Sequence, residues 1–233
     1  MIFAALLLAL GVLLVLSPAE ATLGSVVKIV YLHGAMQRVS LYAFVIAGVL
    51  GVADLSLRGA QFAAKRSPNR ESGVVSQCEV PLAGRLLATL APHANAGVTE
   101  SLVRWARATQ ETAMVFWLAQ LGVSLPAQVL AWGTITWNEP RVMGAVWIVA
   151  LTILVYVVAL WMSEARWMSL AAIANAVIVL VVLRGAVNIL HPIDPIIASD
   201  SLAIKAFYVA IVGVTGVLAF QFARDCANLA KAS

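Results

Sequence analysis

Charge is what this chain lacks most. Only 11% of its 233 residues are Asp, Glu, Lys or Arg, against about 25% in soluble domains. So few charges cannot cover a water-facing surface. With 62% hydrophobic residues and a mean hydropathy of +0.95, the chain belongs in a bilayer. Cysteine is nearly absent. Cys78 and Cys226 stand in no CxxC or Cys-His cluster and read as structural or incidental thiols. There is no glycine-rich phosphate loop, no GxSxG and no HExxH. Paired acidic residues are missing from the apolar runs, so no intramembrane proton relay is visible and an ion-coupled transporter is disfavoured. No basic patch interleaved with aromatics is present, which sets nucleic acid aside. Histidine is scarce as well, with three in the chain.

What is there in abundance is apolar sequence. Runs at about 2–17, 40–57, 112–131, 142–162, 168–187 and 203–222 each approach the roughly 20 residues that cross a hydrocarbon core, the first falling short. Backbone polar groups in lipid must be paired internally, so each run is expected to be a helix. The predicted fold class is all-α: a polytopic membrane protein of six transmembrane helices, one domain over residues 1–233. The first run, followed by Ser17-Pro18-Ala19-Glu20-Ala21, has the outline of a signal peptide but no basic n-region. It is expected to stay as a helix.

Lysine and arginine set the expected orientation. Arg58, Lys65, Arg66, Arg70, Arg85, Arg104, Arg107, Arg166, Arg224 and Lys231 fall on one side, ten of the fifteen basic residues. The positive-inside rule puts that side, and both termini, in the cytoplasm. Cys78 and Cys226 then lie where thiols stay reduced. A cytoplasmic insert at about 58–111 is the one sizeable polar stretch. Within it, Lys65–Gln77 reads as a flexible loop, and Pro81–Leu90 and Val98–Thr109 as short amphipathic helices. The second is a candidate for lying on the inner membrane surface, with Arg104 and Arg107 near anionic lipid. His93, in Ala-Pro-His-Ala-Asn, reads as a solvated loop residue.

Three loops are expected on the outer side. Val27–Arg38 carries His33, Trp132–Arg141 carries two tryptophans, and Arg184–Pro195 carries His191. Two of the three histidines thus stand at one membrane face, at the ends of different helices. Two imidazoles fill the axial positions of a haem iron. Trp132 and Trp137 offer flat faces to the ring, although tryptophan is expected at any membrane interface. Arg38, Arg141 and Arg184 are candidates for pairing the propionates, since arginine matches a carboxylate bidentately. A ligating imidazole also needs its second nitrogen hydrogen-bonded, and the sequence identifies no partner for it.

At these residues the chain resembles the CcmC-like, WWD-domain family of haem-handling proteins in cytochrome c maturation. VKIVYLH (Val27 to His33) is similar to that family's apolar run ending in Tyr-Leu-His or Tyr-Met-His. WGTITWNEPR (Trp132 to Arg141) is similar to its WGTWWxWDxR signature, and NILH (Asn188 to His191) to its Asn-x-Leu-His. The likeness covers nearly the whole chain in topology and about twenty residues in motif. It implies axial haem b ligation by His33 and His191, and a haem platform that includes Trp132, Gly133, Thr134, Glu139 and Arg141. It also implies an inner (plasma) membrane location, delivery to a haem chaperone or apocytochrome, and work beside an ABC transporter and a small single-span subunit. The aromatic platform is thinned here. Ile135 and Thr136 replace the paired tryptophans, Asn138 the last one, and Ala186-Val187 a further pair.

The expected function is haem binding and transfer for cytochrome c maturation or haem delivery, with no enzymatic bond-making by a side chain. A bis-His haem b membrane cytochrome subunit for electron transfer is the alternative. A haem-free membrane anchor subunit is a third.

Overall fold

The computed structural model describes residues 2–20, 23–65, 96–186, 196 and 199–232. They form six helices: α1 (Ile2–Leu16), α2 (Val27–Lys65), α3 (Ala96–Trp132), α4 (Pro140–Met162), α5 (Ala165–Gly185) and α6 (Leu202–Ala232). No strand occurs among the described residues, only an isolated bridge between Glu20 and Gly24. Helices α2 to α6 are long and apolar enough to cross a membrane, and the chain is a multi-pass membrane protein. At 15 residues α1 is shorter. It reaches ~22 Å, below the ~30 Å of a hydrocarbon core.

Two elements are longer than their apolar runs. Helix α2 starts at Val27, not near residue 40 as the apolar run suggested, so the stretch that carries His33 is helix and not a loop. Gly34 does not interrupt it. A Cβ there would come within 2.9 Å of the Tyr208 hydroxyl, so this glycine lets α2 approach α6 closely. At the other end, Val98–Thr109 is helical as expected but continues directly into α3. It does not lie on the membrane surface as a separate helix. Ala106 and Ala108 are buried, and Trp105 stacks on Phe220 of α6 at 6.2 Å between ring centroids. Its apolar face is covered by protein. The expected loop Lys65–Gln77 beyond Lys65 and the expected helix Pro81–Leu90 lie outside the described residues, as does His93.

The bundle is built on α2, which packs most extensively on α3 and next on α5. Side-chain to backbone bonds set the α2–α3 register: Ser40 Oγ donates to Ala113 O at 2.6 Å and His33 Nδ1 to Gln120 O at 3.3 Å. Against α5, small residues permit close approach, as is usual between helices in lipid. A Cβ on Gly51 would stand 2.5 Å from Ser169 O, and one on Gly48 2.8 Å from the Ala176 Cβ. Helices α4 and α5 are joined by a two-residue turn. Ser163 takes a left-handed conformation at φ 51° and donates its N–H to Leu160 O. Helix α1 packs chiefly on α6.

One end of the bundle therefore collects the start of α2, the end of α3, the start of α4, the end of α5 and the start of α6. It is called the histidine end below. Outward faces carry exposed apolar side chains such as Leu8, Val158, Trp161 and Val181, which suits lipid contact.

Candidate functional site

His33 stands on the second turn of α2, half-buried against α3. The Gln120 carbonyl can only accept, so Nδ1 carries the proton in the bond it makes. In a neutral ring that bond selects the tautomer with its lone pair on Nε2. A backbone carbonyl holding the distal nitrogen is the arrangement that orients a metal-ligating imidazole and fixes its tautomer. This is the partner that sequence alone did not supply. It comes from a residue 87 positions away, through helix pairing that no local motif encodes.

The tryptophan-bearing segment joins α3 to α4 at the same end. Trp132 and Trp137 are both exposed, at 44% and 55%. Gly133 reverses the chain at φ +76°, a conformation that favours glycine. Gln128 then ties the segment down. Its Oε1 accepts from Thr136 N at 3.1 Å and from Thr136 Oγ1 at 3.0 Å. Glu139 is buried and serves as N-cap of α4, its Oε2 accepting from Val142 N at 2.9 Å, with Pro140 opening the helix. The acidic position of the motif thus has a local structural use.

Arg141 follows in the first turn of α4 and is half-buried. Its level relative to His33 follows from the chain. Trp117 Nε1 donates to Ala145 O at 3.1 Å, so Gln120 and Arg141 each lie about one turn beyond that bond, toward the histidine end. Arg184 sits in the last turn of α5 and is exposed. Neither Arg141 nor Arg184 makes an ion pair or side-chain hydrogen bond among the described residues. Arg38 differs. It lies five residues after His33 and faces α6, donating to Tyr208 OH at 2.9 Å with its guanidinium over the same ring.

His191, with the rest of 187–195, lies outside the described residues. The chain enters that stretch at Ala186, just past α5. It returns at Ile196, which is buried in the same apolar cluster as Tyr31 and Ala35 of α2. Among the described residues, no three His, Cys, Asp or Glu side chains gather as a metal site.

Two polar groups away from this end escaped the sequence reading. Asp54 is fully buried on α2, where it takes Arg58 Nε at 2.9 Å and Ser169 Oγ of α5 at 2.8 Å. Glu111 takes Arg107 Nε at 2.8 Å and a hydrogen bond from Tyr156 OH of α4. The four-residue spacings Asp54–Arg58 and Arg107–Glu111 were the available signal. Their partners on other helices were not visible in sequence. Compared with known protein families, curated proteins and solved structures, the chain matches none.

Proposed function

We propose that the chain is a haem-holding protein of the inner (plasma) membrane. It would keep haem b at the histidine end, facing the outer side, for cytochrome c maturation or haem delivery. The observation that carries this reading is the His33–Gln120 bond. A backbone carbonyl bonded to Nδ1 fixes the ring's orientation and tautomer, as an iron-ligating imidazole requires. The residues present fit the group. His33 and His191 would be the axial ligands. Arg141 and Arg184 are cations without ion pairs among the described residues, on adjacent helix ends, and suit propionates. Trp132 and Trp137 are exposed aromatic faces beside them. When bound, haem would supply the redox-active iron. The chain itself would hold, orient and release it. Recipients would be a haem chaperone or apocytochrome acceptor, with an ABC transporter and small single-span subunits as neighbours.

One observation favours a second reading. His33 stands within a packed helix and not on a loop, as suits a haem that stays bound and carries electrons in a membrane cytochrome. The test is the visible spectrum of the detergent-purified protein, oxidised and then dithionite-reduced. Wild type is expected to give low-spin haem bands. His33→Ala and His191→Ala should lose them or turn high-spin, and His93→Ala should do neither. Equal loss in all three variants would sink the site assignment. Ready passage of the haem to an apo acceptor separates delivery from electron transfer. A wild-type protein that takes up no haem leaves the haem-free anchor.

A further inference from the structure

The middle of the bundle holds a polar layer that the histidine end does not use. Gln110 of α3 has no exposed surface, and neither its Oε1 nor its Nε2 has a hydrogen-bond partner in the protein. Asn175 of α5 is equally buried. Its Nδ2 donates to Thr152 O of α4 at 3.2 Å, and its Oδ1 has no partner. The Thr152 hydroxyl is turned back onto Ile148 O at 2.6 Å.

These side chains converge. On α3, Val103, Ala106, Gln110 and Trp117 recur at helical spacing and share a face. On α5, Met168, Ala171, Asn175 and Val179 do the same. Toward one end, Val103 packs with Met168 and Ala171. Toward the other, Trp117 packs with Val179 and Ile148. By helical register, Gln110 and Asn175 fall between these two apolar clusters, on the faces of α3 and α5 that carry them. Thr152 and Asn175 stand near the centres of α4 and α5, so the layer lies near the bilayer midplane. The neighbours a turn away, Ala106 and Ala171, are small.

A primary amide has four hydrogen-bonding positions, and lipid offers nothing to fill them. Buried polar groups in native proteins are matched, either by protein or by ordered water with two to four polar partners. We propose that Gln110 and Asn175 enclose a binding site for internal water, with Gln110 Oε1 and Nε2 and Asn175 Oδ1 as its ligands. The ligands, two carbonyl oxygens and an amide N–H2, offer both acceptors and donors, which suits a small neutral hydrogen-bonding molecule.

The test uses the full chain in detergent micelles with 15N-labelled glutamine and asparagine. The side-chain amide protons of Gln110 are expected to show cross-relaxation with long-lived water. Their resonance is identified by its loss in Gln110→Met, or in Gln110→Asn if the first variant does not fold. Thermal unfolding gives a second readout. If water completes the layer, Gln110→Met removes a ligand and lowers Tm. Absence of the water signal, or cross-relaxation to the Asn175 side chain in its place, overturns the proposal. So does a Tm that rises when the amide is replaced by an apolar group, because that marks Gln110 as dry and unpaired.

Discussion

At the scale of single residues, one ion pair reaches into the packed bundle. Asp54 is fully buried between Arg58 and Ser169, while Arg58 is about one-third exposed, at 36%. Removing either partner is therefore not equivalent. Arg58→Ala leaves a buried carboxylate without its cation, and breaking a buried pair this way costs roughly 3–5 kcal/mol. Asp54→Asn leaves an arginine that reaches the polar boundary by snorkelling. Thermal unfolding in detergent should show the larger fall for Arg58→Ala, and the reverse order would place Asp54 in a wetter site. Glu139→Ala removes the α4 cap and is expected to cost about 1 kcal/mol by the same measurement. Gln128→Ala, which frees Thr136, should change tryptophan emission through Trp132 and Trp137 with little change in stability. The types of these residues were plain in sequence. The uses of Glu139 and Asp54 were not, because a cap requires a known helix boundary and a buried pair requires the neighbouring helix.

Among helices, the sequence was legible where hydrophobicity alone decides. The runs near 142–162 and 168–187 became α4 and α5 almost without change. It was least legible where helices pass beyond the apolar run. Helix α2 gains its first 13 residues, from Val27 to Val39, by packing against its neighbours. Polar residues such as Lys28, Gln37 and Arg38 hid it from a hydropathy reading. Close approach also depends on contacts a sequence does not display. Gly51→Ala sets a methyl against the backbone oxygen of Ser169, which cannot swing away. It should cost roughly 1–3 kcal/mol. Gly213→Ala meets nothing within 4 Å on α6 and should be neutral or gain up to about 1 kcal/mol from helix propensity. Equal effects of the two substitutions on Tm would refute the close α2–α5 contact. The proposed histidine site was legible in sequence only as residue types and positions. Residue type and position singled out His33, but its hydrogen bond to the Gln120 carbonyl on α3 emerged only from the fold.

For the whole molecule, three helices of membrane-crossing length, α4 to α6, separate Trp137 from the C-terminus, so the two are expected on opposite sides, and the distribution of basic residues predicts that the C-terminal side is the cytoplasmic one. A reporter active only outside should work when fused after Trp137 and fail when fused at the C-terminus. The opposite pattern would invert the protein and move the histidine end inward. The pairing of α2 with α3 has a consequence for assembly. It is the most extensive in the bundle and is fixed by bonds within it, Ser40 to Ala113 and His33 to Gln120. The 30 residues that join the two helices, 66–95, contribute none of these bonds. Closing such a length has a modest entropic cost, growing by only about 0.6 kcal/mol for each doubling. On the strength of the α2–α3 contacts, covalent continuity between the α1–α2 piece and the α3–α6 piece is expected to be dispensable. Two polypeptides divided within 66–95 and made in the same cell should find each other in the membrane and co-purify as one unit.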